Sequence, residues 1–180
     1  MSAENKNRLE VQKILRDATL EGMKALGIKG WEVMEYSQPA FISADRVVML
    51  NMKESRRMGW QGHQYRVEND VLQRVEEWID EQTWEFHIVA KRKTKTKITD
   101  TLAEDTADML ITWFSGLGVE ELRKSDVAPL RIRSAEVTIY KDDNDLYQKR
   151  ATFTMKLQVP KKVVLGANEM VVQGLEVYGV

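Results

Sequence analysis

Cysteine is absent from the 180 residues. That absence excludes disulfides, thiolate nucleophiles, iron–sulfur clusters and Cys-ligated zinc. Histidine is scarce: His63 and His87 are the only two. They fall on different predicted strands, and neither has neighbours at metal-ligand spacing, so no metal and no cofactor is expected. A phosphate-cradling glycine loop, a nucleophile elbow and a Walker pattern are all missing. No nucleophile, base and orienting group can be assembled, which makes an enzyme the least favoured class. A surplus of charge is lacking too, with 27 basic against 28 acidic side chains and a net charge of -1. Free-standing nucleic-acid modules usually carry an excess of Lys and Arg, so any contact with nucleic acid has to be local. No run of about 18 apolar residues exists, so neither a transmembrane helix nor a membrane partner is expected. The N-terminus, MSAENKNRLE, lacks the cationic start and apolar stretch of a secretory signal, and synthesis in a cytoplasm follows as the expectation.

What is present suits a globular α/β protein, with 43% hydrophobic and 31% charged residues. Asn7 can cap a helix over Arg8–Leu26, with Val11, Ile14, Leu15, Ala18 and Leu26 on one face. Gly27 and Gly30 end it, and a short strand or edge segment follows around Trp31–Tyr36. RVVMLNMKE, Arg46–Glu54, reads as a long strand that pairs with Gly62–Val67 after a turn at Met58–Gly59. Arg56 and Arg57 then stand at the outer end of this hairpin. Arg74–Ala90 reads as one long strand or two joined near Asp80–Gln82, with Trp84, Phe86, Ile88 and Ala90 on one alternating face. Thr101 and Glu104 have capping-box spacing. Leu102, Thr106, Met109, Leu110, Trp113 and Leu117 give the helix that follows an apolar face long enough to cover a sheet. Val119–Lys124 can add one helical turn. Leu130–Tyr140 and Lys149–Val159 form a strand pair, and Val163–Leu165 with Met170–Val177 a final hairpin. The expected fold is α/β (α+β): a mixed, mainly antiparallel sheet covered by two principal helices, with long β-hairpins. Residues 1–180 read as one domain with a C-terminal β extension at about 163–180, and Trp84, Phe86, Met109 and Trp113 are placed in its core.

Three features are candidates for contacts. The first is KRKTKTK, where Lys91, Arg92, Lys93, Lys95 and Lys97 put five like charges into seven residues. It joins two ordered elements and can face an acidic partner or a phosphate backbone. A solvated connection is the competing reading. The second is the polar, glycine-flanked stretch ESRRMGWQGHQ, in which Arg56, Arg57, Trp60 and His63 form a candidate interface; Trp60 either anchors a partner or folds back on its own hairpin. The third, Glu76, Glu77, Asp80 and Glu81, suits a polar strand edge better than a catalytic carboxylate pair. DDND, Asp142–Asp145, lacks the glycine and terminal Glu of a calcium loop and reads as a solvated turn.

The order of elements resembles the neck and tail-terminator proteins of tailed bacteriophages. The residues that carry this resemblance are YSQPAFIS (Tyr36–Ser43), WEFHIVAK (Trp84–Lys91), ITDTLAEDTADMLITWF (Ile98–Phe114) and the strands IRSAEVTIY and RATFTMKLQV. The similarity spans roughly residues 8 to 160 and leaves Val163–Val180 unmatched. It implies a structural virion protein of the phage tail and neck that caps the head-proximal end of the tail tube. The cap is a ring, commonly a hexamer, that stops tube polymerisation and offers a head–tail joining surface. The implied partners are other copies of the chain, the tail tube protein and head–tail connector or neck proteins, with the tail sheath and passing DNA beyond these. A head-closure or adaptor protein and a small nucleic-acid-binding regulator are the alternatives.

Overall fold

The computed structural model describes residues 6–35, 45–68, 71–90, 101–141 and 147–166, with the backbone alone at 59–62, 68, 71, 140, 141, 147 and 166. The first helix, α1, runs over Arg8–Ala25. Asn7 closes its N-terminus with a capping box: its side chain accepts from the Glu10 amide, and Glu10 reaches back to the Asn7 amide. Strand β1 is Glu32–Glu35, β2 is Arg46–Glu68 and β3 is Val71–Ala90. Helices α2, Leu102–Ser115, and α3, Leu117–Arg123, follow. Strands β4, Ala128–Ile132, β5, Glu136–Lys141, and β6, Tyr147–Gly166, complete the chain's described elements.

The strands make a six-stranded sheet in the order β1-β2-β3-β6-β4, with β5 also on β6. Only the β1–β2 pair is parallel, so the sheet is mixed and largely antiparallel. One face carries the helices. Trp84, Phe86 and Ile88 of β3 and Phe153, Met155 and Leu157 of β6 are buried there against Ala103, Ala107, Leu110 and Phe114 of α2 and Val11 and Leu15 of α1. Phe86 stacks on Phe153 with ring centroids 4.5 Å apart and meets Phe114 at 5.5 Å. Buried aromatics in such a cluster supply a large share of the core's apolar burial. A much smaller cluster, Val47, Met49 and Val89, lies on other positions of the same strands.

The strand pairing departs from the sequence reading in an instructive way. Arg46–Glu54 does not pair with Gly62–Val67. Both belong to one continuous strand, and Arg46–Glu54 lies against Thr83–Ala90 while Gly62–Val67 lies against Leu72–Glu77. The glycines at Gly59 and Gly62 produce a register shift between Met58 and Gly62 instead of a turn, because a β-bulge absorbs extra residues without reversing the chain. Likewise β3 is unbroken through Asp80–Gln82. Val163–Leu165 is the end of β6 and not the start of a separate hairpin; Met170–Val177 lies outside the described residues. Pro160 is tolerated in mid-strand because β4 stops at the Ala128–Gln158 pair, which leaves that side of β6 with no strand partner among the described residues. Leu130–Tyr140 becomes β4 and β5, which follow one another along the same edge of β6 with a one-residue slip at each break.

On α2 the buried side is Ala103, Thr106, Ala107, Leu110, Trp113 and Phe114. Met109, expected in the core, is 45% exposed, and Leu117 is also exposed. The helix presents its two alanines and Phe114 to the sheet, and this rotates Met109 to the flank; small residues allow the closer approach that a large one at 109 would prevent. Thr101 makes no side-chain cap; its hydroxyl bonds Asp105 Oδ2 at 2.6 Å. Trp113 joins the three helices. Its indole fills a slot made by Gly22 of α1 and Gly118 of α3, where a Cβ would lie 2.6 Å and 2.7 Å from ring atoms.

Candidate interaction surfaces

β2, β3 and β6 extend past the helical layer as a three-stranded ribbon. Among described side chains from 55 to 80, only Val75 is buried. The twelve residues of β3 before Thr83 span about 40 Å at roughly 3.3 Å per residue. The ribbon is held by cross-strand ion pairs. Arg56, directly opposite Glu81, approaches its Oε1 at 2.7 Å, and Lys156 of β6 reaches the same oxygen at 2.8 Å. The Lys156 hydrogen bond, with Arg56 behind it, holds the Glu81 carboxyl below its ordinary value despite the opposing effect of desolvation. Lys162 of β6 reaches Glu77 across the strands at 2.9 Å, and within β3 Arg74 pairs with Glu76 at 2.7 Å. The acidic cluster of β3 is thus occupied in stiffening the ribbon.

The two arginines diverge because neighbours in a strand point to opposite faces. Arg56 serves the Glu81 bridge, while Arg57 lies 4.0 Å over the Trp78 ring, whose Nε1–H donates to Asp80 Oδ1 at 2.9 Å. His63 is exposed and meets Tyr65 edge-on at 5.9 Å. The structure therefore separates Arg56 from Arg57 and His63. Trp60 lies within β2 at the register shift, and its side chain is outside the described residues. So is the whole Lys91–Lys97 segment, between Ala90 of β3 and Leu102 of α2, and so is DDND.

Sequence reasoning offered the Arg46–Val67 and C-terminal β segments as contacts but did not single out the apolar side chains of the ribbon's outer part. Tyr65, Val67, Leu72 and Leu165 fall on one face of it, and all are exposed, Val67 to 69% and Tyr65 to 52%. The alternation of Tyr65, Arg66 and Val67 was the available signal, but a strand pattern alone does not say that its apolar side lacks a cover. Contiguous exposed apolar side chains mark interaction sites in soluble proteins.

Nearer the body, His87 sits on the sheet face away from the aromatic core. Its Nε2 lies 2.9 Å from Glu85 Oε2, and Lys53 holds the same carboxylate at 3.0 Å. Burial pushes the imidazole below its ordinary value, only partly offset by Glu85. Among the described residues no group of three His, Asp or Glu side chains is arranged to hold a metal, and no helix is long and apolar enough to cross a membrane.

The ribbon thus combines paired charges with exposed apolar side chains at its outer part. The sequence pattern of the family described as E217 gateway protein gp29 matches residues 10–163, most of the chain. The protein belongs to that family. It is a structural protein of the phage tail and neck with a role in virion assembly. No curated protein matches the chain. Among solved structures, a chain of the virion of a native gene transfer agent particle is similar at 10% identity, over 80% of this chain and 94% of that chain. The TM-score of that pair is 0.28, too low to support a common architecture.

Proposed function

We propose that the chain caps the head-proximal end of the phage tail tube as a ring, commonly of six copies, which ends tube growth and gives the head a surface to join. In this reading residues 1–180 act as one unit, and the contacts with neighbouring copies and with the tube run through the ribbon. The observation that carries it is the exposed row of Tyr65, Val67, Leu72 and Leu165 at the ribbon's outer part in a member of a tail and neck family. Apolar groups of this kind become anchors when a partner desolvates them. A ring satisfies them without leaving open ends, because a repeated heterologous contact closes on itself. Trp60, in the bulged part of the same strand, belongs to this contact surface. Connector proteins above and sheath beside the tube are the further partners.

Electron microscopy of the protein mixed with purified tail tubes tests this reading. One ring at a single tube end supports capping, and longer tubes in its absence support termination. Binding to a head connector with no affinity for tubes would replace it with the head-closure reading, which the word gateway in the family's description also suits. Binding to neither would reject both.

A further inference from the structure

The sheet face turned away from the helices carries a groove of about 300 Å³ at the junction of β2, β3, β6 and β4. Every residue that lines it carries a polar or charged side chain. Four cations, Lys53, Arg131, Arg133 and Lys156, face two hydroxyls, Thr83 and Thr154, and one carboxylate, Glu54. The four cations are not equivalent. Lys53 is matched by Glu85 and Lys156 by Glu81. Arg131 and Arg133 are exposed and have no ion pair among the described residues.

Their placement is built into the strand pairing. The slip between Pro129 and Arg131 sets Arg131 directly opposite Lys156. Arg133 donates its amide to the Thr154 carbonyl at 3.0 Å, which holds its backbone in the ladder beside the Thr154 hydroxyl. Like charges facing one another across a strand pair are destabilising. Glu81 already offsets the charge of Lys156, and an anion beside the unpaired Arg131 relieves the repulsion that is left.

We propose that this groove is a sequence-independent contact for the phosphodiester backbone of duplex DNA. Arginine, lysine and threonine side chains are the groups that hold phosphate oxygens. The planar guanidinium suits two oxygens of one phosphate. A protein partner would require an apolar or aromatic centre for affinity, and the groove lining contains no such side chain. It offers no aromatic for stacking on bases, so the contact reads charge and not sequence. The proposal goes beyond the capping reading and does not depend on it.

The test is fluorescence anisotropy with a labelled duplex of arbitrary sequence at about 50 mM and about 200 mM salt, the range over which phosphate contacts weaken steeply. The wild-type chain should bind with a dissociation constant at or below about 100 µM at the lower salt, within the non-specific range. Arg131→Gln with Arg133→Gln should cut affinity at least tenfold and lower the salt slope by about 2, because each arginine neutralises one phosphate. The paired Arg→Lys variant should recover most of the affinity, and Arg123→Gln, on α3, should change nothing. Matching circular-dichroism melts will show that each variant is folded. No binding by the wild type at low salt, or an unchanged slope in the Gln pair, overturns the proposal. Unchanged DNA binding with weakened affinity for tube or connector overturns it in favour of an acidic protein partner.

Discussion

Gly22→Ala offers a test in which two well-understood effects have opposite signs. Gly22 lies inside α1, where alanine is the better helix former by about 1 kcal/mol. Helix propensity alone therefore makes the substitution stabilising. The slot for Trp113 reverses this. A Cβ on Gly22 would sit 2.6 Å from Cδ1, 2.7 Å from Nε1 and 2.9 Å from Cγ of the indole. The ring is flat and rigid, and it cannot retreat, because Gly118 closes the other side with a built Cβ at 2.7 Å from Nε1. Overpacking a filled site costs typically 1–3 kcal/mol, and a blocked retreat points to the upper end, about 3 kcal/mol. After the helix gain the net loss is about 2 kcal/mol, roughly a 30-fold change in the unfolding equilibrium. For a chain of this size that is a fall in Tm of about 4–8 °C. Urea denaturation followed by circular dichroism should be run on Gly22→Ala in the native background and in Trp113→Leu. With the indole gone, Gly22→Ala should turn stabilising by about 0.5–1 kcal/mol. Stabilisation in the native background, or the same change in both, would refute the slot.

Four further outcomes are expected. His87 is held below its ordinary value by burial, so the unfolded chain takes up its proton at higher pH than the folded one; the Tm should fall as pH drops from about 7 through the lowered value, and His87→Gln should flatten that dependence. Glu81 has a lowered folded value, so its contribution is present above the ordinary carboxylate range and lost as pH falls through the lowered one; Glu81→Gln should remove that acid-side loss and leave Arg56 and Lys156 unpaired, read as faster hydrogen exchange in the ribbon. Tyr65→Ser with Val67→Ser should weaken association with tubes while leaving the melt within about 0.5 kcal/mol of wild type, because both side chains are exposed in the monomer; light scattering beside the melt separates the two. Phe86→Ala, in contrast, should cost about 3–5 kcal/mol in a urea melt, since the ring is fully buried between Phe153 and Phe114.

The sequence by itself determined the local elements. Asn7 announced the cap of α1, and the alternation of Trp84, Phe86 and Ile88 fixed which side of β3 faces the aromatic core, because a period of two puts all three on one face. The absence of cysteine and of a catalytic constellation bounded the chemistry. What it left open depended on partners distant in the chain. Gly59 and Gly62 are equally good residues for a turn and for a bulge, and only the opposing strand β3 selects the bulge. Met109 sits on a plausible helical stripe, but the distance between helix and sheet favours Ala103 and Ala107 on the inner side. Gly22, Gly118 and Trp113 carry no signal when read singly, since their relation is a contact among three helices. Arg131 and Lys156 stand 25 positions apart, and only the slipped register of β4 on β6 sets their charges face to face. Periodicity is a property of neighbours along the chain, whereas register, slot and groove are properties of neighbours in space.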